Sequence, residues 1–499
     1  MKNINIFILY FLFFSILSVF NGCKNTADLL EISIGGLSSR SKKMLQAHTV
    51  QIDPTFPLYR DRTPRSIADE IIANGIEGVY YFITSDKAID KDIIDALHDR
   101  DIPVAALIIA SGAYLPIDER PAAWEKWKMR FTTGGQTLEA YNFMSFVHKD
   151  YARWMKERVV NVVNDYDFDG FTFAGAMYPI YDGLEKDPVV YADISPAFQE
   201  AFKEQTANKE FPEFENGAAD TYYKKRPDLY NDLVDFRVKT IDEFYNEVIN
   251  GAGGFREKCP GKFAATWTLG VYDNGRFGDP VETLREWEGN DIRSMIALVK
   301  PDMHFIQTHW PDWMSAMDGD YVAHYQPFFD AVWESDADMP VALQTDIGSF
   351  EWSRKSKNWR TLFYKTCEQL HVSSTTYYEF SIRSEIYEDP PQLKEIRRVN
   401  NTTLELSFDQ RIASPYCENL IRGKKIIVGD NGREYSVRSA ETDGNILIIV
   451  TDTEIADLKS ATVRLGGIKD DIQYRFHNAN ISLGKENIIP QNATKSLPI

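Results

Sequence analysis

The chain has 499 residues, of which 43% are hydrophobic and 26% are charged, and these values are typical of a globular protein with two domains. Its formal net charge of -19 at pH 7 argues against nucleic acid as a partner, because binding to phosphates requires a basic surface. The charge does not exclude an acidic sugar, since one local arginine can bind a carboxylate.

Residues 1–22 are predicted to be a signal peptide, because Lys2 precedes an almost unbroken apolar run. The run ends in Asn21-Gly22-Cys23, which resembles a bacterial lipobox, although that motif prefers Leu where Phe20 stands. We therefore expect Cys23 to be lipidated and residues 23–44 to be a tether. The protein would then be a bacterial membrane lipoprotein, on the periplasmic or the cell-surface side of the outer membrane. An amino-terminal membrane anchor with an incidental cysteine is the alternative.

The other cysteines indicate neither a disulfide framework nor a zinc site. Cys259, Cys367 and Cys417 are odd in number, widely spaced and free of a Cys-x-x-Cys pair, so buried hydrophobic positions are expected for them. The sequence also has no His-x-His, His-Glu-x-x-His or EF-hand pattern. No metal and no cofactor are predicted.

Strands and helices alternate from residue 45 to residue 388, which predicts an α/β domain of the (β/α)8 TIM-barrel type with long insertions at 111–149 and 180–227. An open doubly wound sheet is disfavoured because no Gly-x-Gly-x-x-Gly turn follows an early strand. The predicted strands are Thr49–Asp53, Gly78–Ile83, Pro103–Ala110, Phe171–Phe173, Lys262–Leu269, Met303–His309, Val341–Asp346 and Thr375–Ile382.

Beyond Asp389-Pro390-Pro391 the pattern changes to short strand-like runs separated by turns such as Asp443-Gly444-Asn445. No long helical pattern intervenes, so residues 389–485 are predicted to be a small all-β sandwich, followed by a tail at 486–499. The run Leu404–Asp409 resembles bacterial Ig-like accessory domains. A packing or spacer role is expected for this domain.

The stretch Tyr166–Pro179 reads as a turn, a short buried strand and a loop, preceded by an amphipathic helix that contains Trp154. With Asp235-Phe236-Arg237 and the strand Phe263–Leu269, this layout resembles glycoside-hydrolase barrels near the α-fucosidase-like and β-galactosidase-like hydrolases. The resemblance implies carbohydrate chemistry at the carboxyl ends of the strands. Such relatives end the fourth strand in a catalytic aspartate, where this chain has Ala174.

A methyl group can neither attack an anomeric carbon nor donate a proton, so catalytic groups are sought on other strands. His309 follows Phe305 and Gln307 at alternate positions and is a candidate acid or base. Asp346 ends the seventh strand and Glu379 lies on the eighth, and both are candidate catalytic carboxylates, with a loop anchor and a buried ion pair as their structural alternatives. The fourth candidate is Tyr178. Weaker ones are Asp53, Arg60 and Asp86.

Tryptophans on predicted strand ends and loops suit a sugar, because indole stacks on the C–H face of a pyranose. The candidate substrate-binding residues are Arg383, Trp267, Trp310, Trp313 and Gln307, and the further tryptophans in such positions are Trp124, Trp127 and Trp352.

Three functions remain open from the sequence. The first is hydrolysis of an oligosaccharide by Asp346 and Glu379. The second is elimination at a uronic acid by a lyase or dehydratase that uses His309, Tyr178 and Arg383. The third is a surface protein that binds glycans without catalysis.

Overall fold

Eight parallel strands close into a barrel in which each strand pairs with the next one along the chain and the last pairs with the first. The strands are β1 His48–Ile52, β2 Gly78–Ile83, β3 Val104–Ile109, β4 Gly170–Ala174, β5 Phe263–Gly270, β6 Met303–Thr308, β7 Val341–Asp346 and β8 Ser374–Tyr378. The predicted (β/α)8 barrel is confirmed.

The structure is a computed structural model. It describes residues 36–110, 114–132, 137–138, 141–179, 191–206, 208–272, 278–309, 312, 315–349, 351–475 and 483–499. Cys23, the predicted signal peptide, Trp310 and Trp313 lie outside these residues. Within them, no helix combines the length and the hydrophobicity that crossing a membrane requires.

The helices of the barrel domain lie around the strands, and several of them begin at a side chain that caps their free N–H groups. Thr63, for example, accepts a hydrogen bond from Ser66 N, and Asp279 accepts from Val281 N. The helices are α1 Ser39–Met44, α2 Pro64–Ala73, α3 Lys91–His98, α4 Trp124–Trp127, α5 Lys149–Asp165, α6 Pro196–Gln205, α7 Pro227–Asn250, α8 Phe255–Lys258, α9 Pro280–Glu288, α10 Ile292–Val299, α11 Gln326–Ser335, α12 Lys357–Gln369 and α13 Glu385–Glu388.

Strand alternation decides which side chains enter the barrel. Every residue of β3 is buried, because one face packs on the helices and the other lies in the lumen. Tyr80 on β2 and Phe305 on β6 meet edge to face across the lumen, with their ring centroids 5.3 Å apart. The next inward position of β6 is Gln307, so the parity predicted for that strand agrees with the structure.

The amino-terminal end of the barrel is closed by a polar network around Asp169. Its carboxylate accepts hydrogen bonds from Arg40 Nε at 2.8 Å and Val104 N at 2.9 Å, and lies 2.9 Å from His98 Nε2. Ser41 Oγ donates to the Asp169 carbonyl at 2.7 Å. Arg40 and Ser41 belong to α1, so the tether predicted for residues 23–44 is too long, and from Ser39 onward the chain is part of the barrel domain.

The carboxyl-terminal domain is all-β, with seven antiparallel strands in the order β9-β10-β13-β12-β11-β14-β15. The long strand β12 pairs with β13 through one half of its length and with β11 through the other, so it joins the two halves of the sheet. The elements are β9 Leu393–Asn400, β10 Thr403–Phe408, α14 Tyr416–Ile421, β11 Lys425–Gly429, β12 Glu434–Asp443, β13 Ile446–Thr451, β14 Ser460–Arg464 and β15 Thr494–Pro498.

Two sequence expectations for the chain's end have different outcomes. The predicted tail 486–499 contains β15, which pairs along its whole length with β14, so this segment completes the sheet. The free cysteines Cys259, Cys367 and Cys417 are all buried, as expected.

The two domains are joined mainly by arginines. Arg62 donates to Asn445 Oδ1 at 2.8 Å, and Arg65 pairs with Glu405 at 2.9 Å. In the opposite direction, Arg411 donates to the carbonyl of Leu58 at 3.1 Å. Guanidinium groups suit this position because each offers several donors to carbonyls and carboxylates of the partner surface.

Candidate active site

A cavity of about 420 Å³ opens at the carboxyl ends of the barrel strands, which is where barrels of this type place their active sites. All eight strands or the residues just after them contribute to its wall. The described lining residues are Gln51, Asp53, Phe56, Phe82, Thr84, Leu107, Ile109, Tyr114, Ala174, Gly175, Met177, Trp267, Leu269, Gln307, Gln344 and Tyr378.

Ala174 is the last residue of β4 and lines the cavity, so the substitution noted in the sequence falls inside the site. The strand therefore presents a methyl group where a carboxylate would reach a bound sugar. Gly175 follows at φ 67°, a left-handed conformation that glycine adopts without steric cost. The chain turns sharply there, and Met177 is the last residue before Tyr178 that lines the cavity.

Asp53 is the one carboxylate among the described residues of the cavity wall. It follows β1 on the same side of the strand as Gln51, and its Oδ1 accepts hydrogen bonds from Thr55 N at 3.0 Å and Thr55 Oγ1 at 2.6 Å. Burial raises the pKa of Asp53, and the bonds from Thr55 oppose that rise. A carboxyl held in this way transfers protons nearer to neutral pH than a free aspartate does.

Three glutamines supply neutral polar groups to the same cavity. Gln344 Nε2 donates to Gln51 Oε1 at 3.1 Å, which leaves an amide N–H₂ of Gln51 and an amide oxygen of Gln344 for other partners. Gln307, one of the predicted binding residues, is half-buried on β6 and also lines the cavity. Such amides bind hydroxyl groups, which both donate and accept hydrogen bonds.

Trp267, one of the predicted binding residues, lines the cavity from β5. Its side chain is 1% exposed, and its indole Nε1 has no hydrogen-bond partner among the described residues. Buried N–H groups are almost always paired in proteins, so this donor is an exception. The other aromatic rings of the wall are Phe56, Phe82, Tyr114 and Tyr378.

Asp346 ends β7 as predicted, but its carboxylate is turned into its own loop. Oδ2 accepts from Gly348 N and Ser349 N, each at 2.9 Å, and Ser349 Oγ donates to Oδ1. The side chain is fully buried and does not line the cavity. The loop-anchor alternative therefore describes Asp346 better than a catalytic role.

Glu379 is also buried outside the cavity wall, directly behind Asp53. Its carboxyl accepts from Asp53 N at 2.7 Å, from Tyr59 Oη at 2.6 Å and from Ser381 N at 3.0 Å. Burial raises the pKa of Glu379 to about 8. Its backbone has φ 61° and ψ 120°, a strained conformation for a residue with a side chain, which the three hydrogen bonds hold in place. Glu379 is thus a residue that positions Asp53.

Tyr178 does not reach the cavity. The turn at Gly175 sends it into the core, where its hydroxyl lies 2.6 Å from Thr240 Oγ1 and the Arg237 guanidinium stacks 4.5 Å from the ring centroid. Burial raises the pKa of the Tyr178 hydroxyl well above its usual value. A proton-donor role for Tyr178 is therefore corrected to a packing role.

Arg383 lies at the domain junction instead of the barrel mouth. It donates to Glu70 at 2.6 Å, to the Asp409 carbonyl at 2.9 Å and to the Phe380 carbonyl at 3.2 Å. Its side chain is buried outside the cavity wall. Arg383 consequently does not bind a substrate in the barrel.

The remaining candidates are spread around the barrel. His309 is buried, and its backbone N–H donates to Tyr325 Oη at 3.1 Å, but its side chain is not part of the cavity wall. Arg60 donates to the Thr55 carbonyl, and Asp86 forms an ion pair with Arg158 at 2.8 Å.

Three further tryptophans also lie away from the cavity. Trp124 and Trp127 are buried against Trp154, with ring centroids 6.0 and 5.8 Å from it, whereas Trp352 is 62% exposed. In the described part of the chain, no three His, Cys, Asp or Glu side chains come together to hold a metal ion.

Solved structures that match this chain include a glycoside hydrolase domain and a β-galactosidase. The glycoside hydrolase domain of PgaB (BpsB) from Bordetella bronchiseptica covers 66% of this chain and 93% of its own, with 14% identity and a TM-score of 0.47. The β-galactosidase from Rahnella sp. R3 covers 69% of this chain, with 13% identity and a TM-score of 0.47, and this chain spans 52% of that enzyme. No family model and no curated protein matches the sequence. At these identities the likeness concerns the fold alone.

Proposed function

We propose that this protein is a carbohydrate-active enzyme, a glycoside hydrolase that acts on oligosaccharides and uses Asp53 as its proton-transferring carboxyl group. The observation that carries the proposal is the cavity at the carboxyl ends of the strands, in which Asp53 is surrounded by aromatic rings and glutamine amides. Asp53 replaces Asp346 and Glu379 in this role, because both of those carboxyls are engaged elsewhere.

The lining matches the two kinds of surface that a sugar ring presents. Indole and phenyl faces such as those of Trp267 and Phe82 stack on its apolar C–H face, while Gln51, Gln307 and Gln344 offer donors and acceptors to its hydroxyls. The volume of about 420 Å³ falls in the range of pockets that enclose a small ligand. The bound residue would then present its glycosidic oxygen to Asp53.

Asp53 would protonate the departing oxygen as the glycosidic bond breaks, a water would form the new bond to the anomeric carbon, and the ionised Asp53 would take the proton that this water releases. Elimination at a uronic acid is the alternative, and it additionally needs a cation for the sugar carboxylate. No lysine, arginine or histidine is present among the described lining residues, and Arg383 is fixed at the domain junction. Hydrolysis is therefore the preferred reaction.

A panel of neutral and acidic oligosaccharides, analysed by mass spectrometry and ultraviolet absorbance, tests the reaction type. Hydrolysis predicts cleavage products that together gain one water, carry a new reducing end and do not absorb. Products that absorb in the ultraviolet and gain no water would establish elimination instead. Binding of oligosaccharides without turnover of any of them would leave a glycan-binding protein and contradict the proposed activity.

Replacing Trp267 with Phe is expected to raise KM by about 3-fold to 10-fold with little change in stability. The ring bulk is retained, and the lost Nε1–H has no protein partner, so its hydrogen bond of about 1 kcal/mol is lost only from the bound state. The matched control is Trp333→Phe, because Trp333 Nε1 already donates to the Met339 carbonyl at 3.2 Å, outside the cavity. An unchanged KM in Trp267→Phe would show that the indole N–H faces no ligand.

We also propose that Cys23 carries a lipid that holds the protein on a bacterial membrane, as Asn21-Gly22-Cys23 indicates. Cells fed a labelled fatty acid should incorporate the label into the wild-type protein and into a Cys417→Ser control. The Cys23→Ser variant should remain unlabelled. Equal labelling of the two variants would contradict lipidation at Cys23.

A further inference from the structure

A second cavity, of about 300 Å³, lies outside the barrel lumen, between α12, the end of α2 and the segment that leads into the carboxyl-terminal domain. One face of α12 forms a wall of this junction cavity through Lys357, Arg360, Thr361 and Tyr364. These residues are spaced by three or four positions, so their side chains share one side of the helix. Arg383 lines the opposite side.

The charge of this wall is opposite to that of the whole protein. Lys357, Arg360 and Arg383 line the cavity together with a single carboxylate, Glu385, whereas the chain has a net charge of -19. Each cation also has an acidic neighbour, since Arg360 pairs with Glu385, Lys357 with Asp389, and Arg383 with Glu70 at 2.6 Å. The ion pairs fix the positions of the three cations around the cavity.

Two guanidinium groups keep an unused donor at this place. The Nε atoms of Arg360 and Arg383 are buried and have no hydrogen-bond partner among the described residues. Arg383 is only 2% exposed, so water from the surface does not satisfy its donor. A buried, charged donor without an acceptor is unfavourable, and an oxyanion that reaches the Nε atoms from the cavity would satisfy them.

Apolar side chains form another part of the wall, which favours an organic ligand over a bare ion. Val50, Ile76, Ile347 and Phe380 line the cavity beside the cations. A cavity of this size that combines arginines with hydrophobic side chains is complementary to a compact molecule that has one anionic end.

We propose that the junction cavity binds a small organic oxyanion, such as a sugar that carries a carboxylate or a phosphate ester, at a site separate from the barrel cavity. Arg383 touches this cavity and also donates to the Asp409 carbonyl of the carboxyl-terminal domain at 2.9 Å. The ligand therefore contacts a residue that joins the two domains. Its binding stabilises the docked arrangement, because a ligand shifts the folding equilibrium toward the state that binds it.

Isothermal titration calorimetry on the full chain tests the site, with D-glucuronate and D-glucose 6-phosphate as probes and D-glucose as the uncharged reference at constant ionic strength. At least one charged probe is expected to bind at least 10-fold more tightly than glucose. Lys357→Gln and Arg360→Gln should each weaken that binding by at least about 5-fold. Lys365→Gln, an exposed change on the same helix, should leave it unaltered.

Lys357 is half-exposed, so Lys357→Gln decides the test even if Arg360→Gln folds poorly. The proposal is overturned if neither charged probe binds more tightly than glucose, or if the affinity of the charged probe is the same in Lys357→Gln as in the wild type. Inorganic sulfate that binds as tightly as both organic probes would also overturn it, because the apolar wall would then contribute nothing. Each result is independent of turnover in the barrel.

Discussion

Replacing Asp53 with Asn is expected to lower kcat by about 100-fold to 10,000-fold while KM stays within a few-fold of its wild-type value. General acid–base catalysis by one positioned group contributes an effect of this size. The amide keeps the side-chain shape and its oxygen can still accept from Thr55, so the cavity is preserved while proton transfer is lost. Steady-state kinetics on an oligosaccharide substrate measures both constants.

Two matched variants separate chemistry from structure. Asp452→Asn changes an exposed carboxylate of the carboxyl-terminal domain and should leave kcat unaltered. Asp346→Asn weakens the loop contacts with Ser349. It should lower the unfolding temperature and leave kcat close to its wild-type value. An Asp53→Asn enzyme with more than half of the wild-type kcat would remove Asp53 from the mechanism.

The unfolding temperature is expected to fall by several degrees between pH 5 and pH 8, and Glu379→Gln should reduce that fall. Burial raises the pKa of Glu379 to about 8, from an ordinary value near 4.5. Between these values the folded chain keeps a proton that the unfolded chain has released. The stabilisation that this protonated carboxyl contributes is therefore complete below about pH 4.5 and is lost as the pH rises through 8. Thermal unfolding at several pH values measures the slope.

Glu288 and Asp242 contribute to the same slope, because burial raises their pKa values to about 8 and about 7. Glu379→Gln therefore flattens the dependence without abolishing it. Glu395→Gln, at an exposed position of β9, is the control and should keep the wild-type slope. Equal slopes in the wild type and in Glu379→Gln would show that the Glu379 carboxyl is ionised in the folded protein.

The barrel follows from local patterns in the sequence. The strands Gly78–Ile83 and Val341–Asp346 have the same bounds in the structure as in the prediction. Short apolar runs and helical periodicity are properties of neighbouring residues, and in a parallel sheet they also identify the end that carries function. The same reasoning predicted that Ala174, Trp267 and Gln307 face the site.

The direction of side chains beyond the strand ends does not follow from such patterns. The positive φ of Gly175 turns the chain so that Tyr178 enters the core, and the loop amides of Gly348 and Ser349 draw Asp346 away from the cavity. Both outcomes depend on loop conformations, to which strand periodicity does not extend. Asp53 is a different case. It alternates with Gln51 along β1, and this pattern in the sequence is enough to place both side chains on the same side of the strand.

We propose that a sugar reacts in the barrel cavity beside Asp53. A crystal structure of the Asp53→Asn variant with a bound substrate oligosaccharide would show where that sugar lies. We expect a sugar residue between Trp267 and the glutamine amides, with its glycosidic oxygen within about 3.2 Å of the side chain at position 53. Clear density for the oligosaccharide anywhere else on the protein, with the barrel cavity empty, would contradict a reaction beside Asp53.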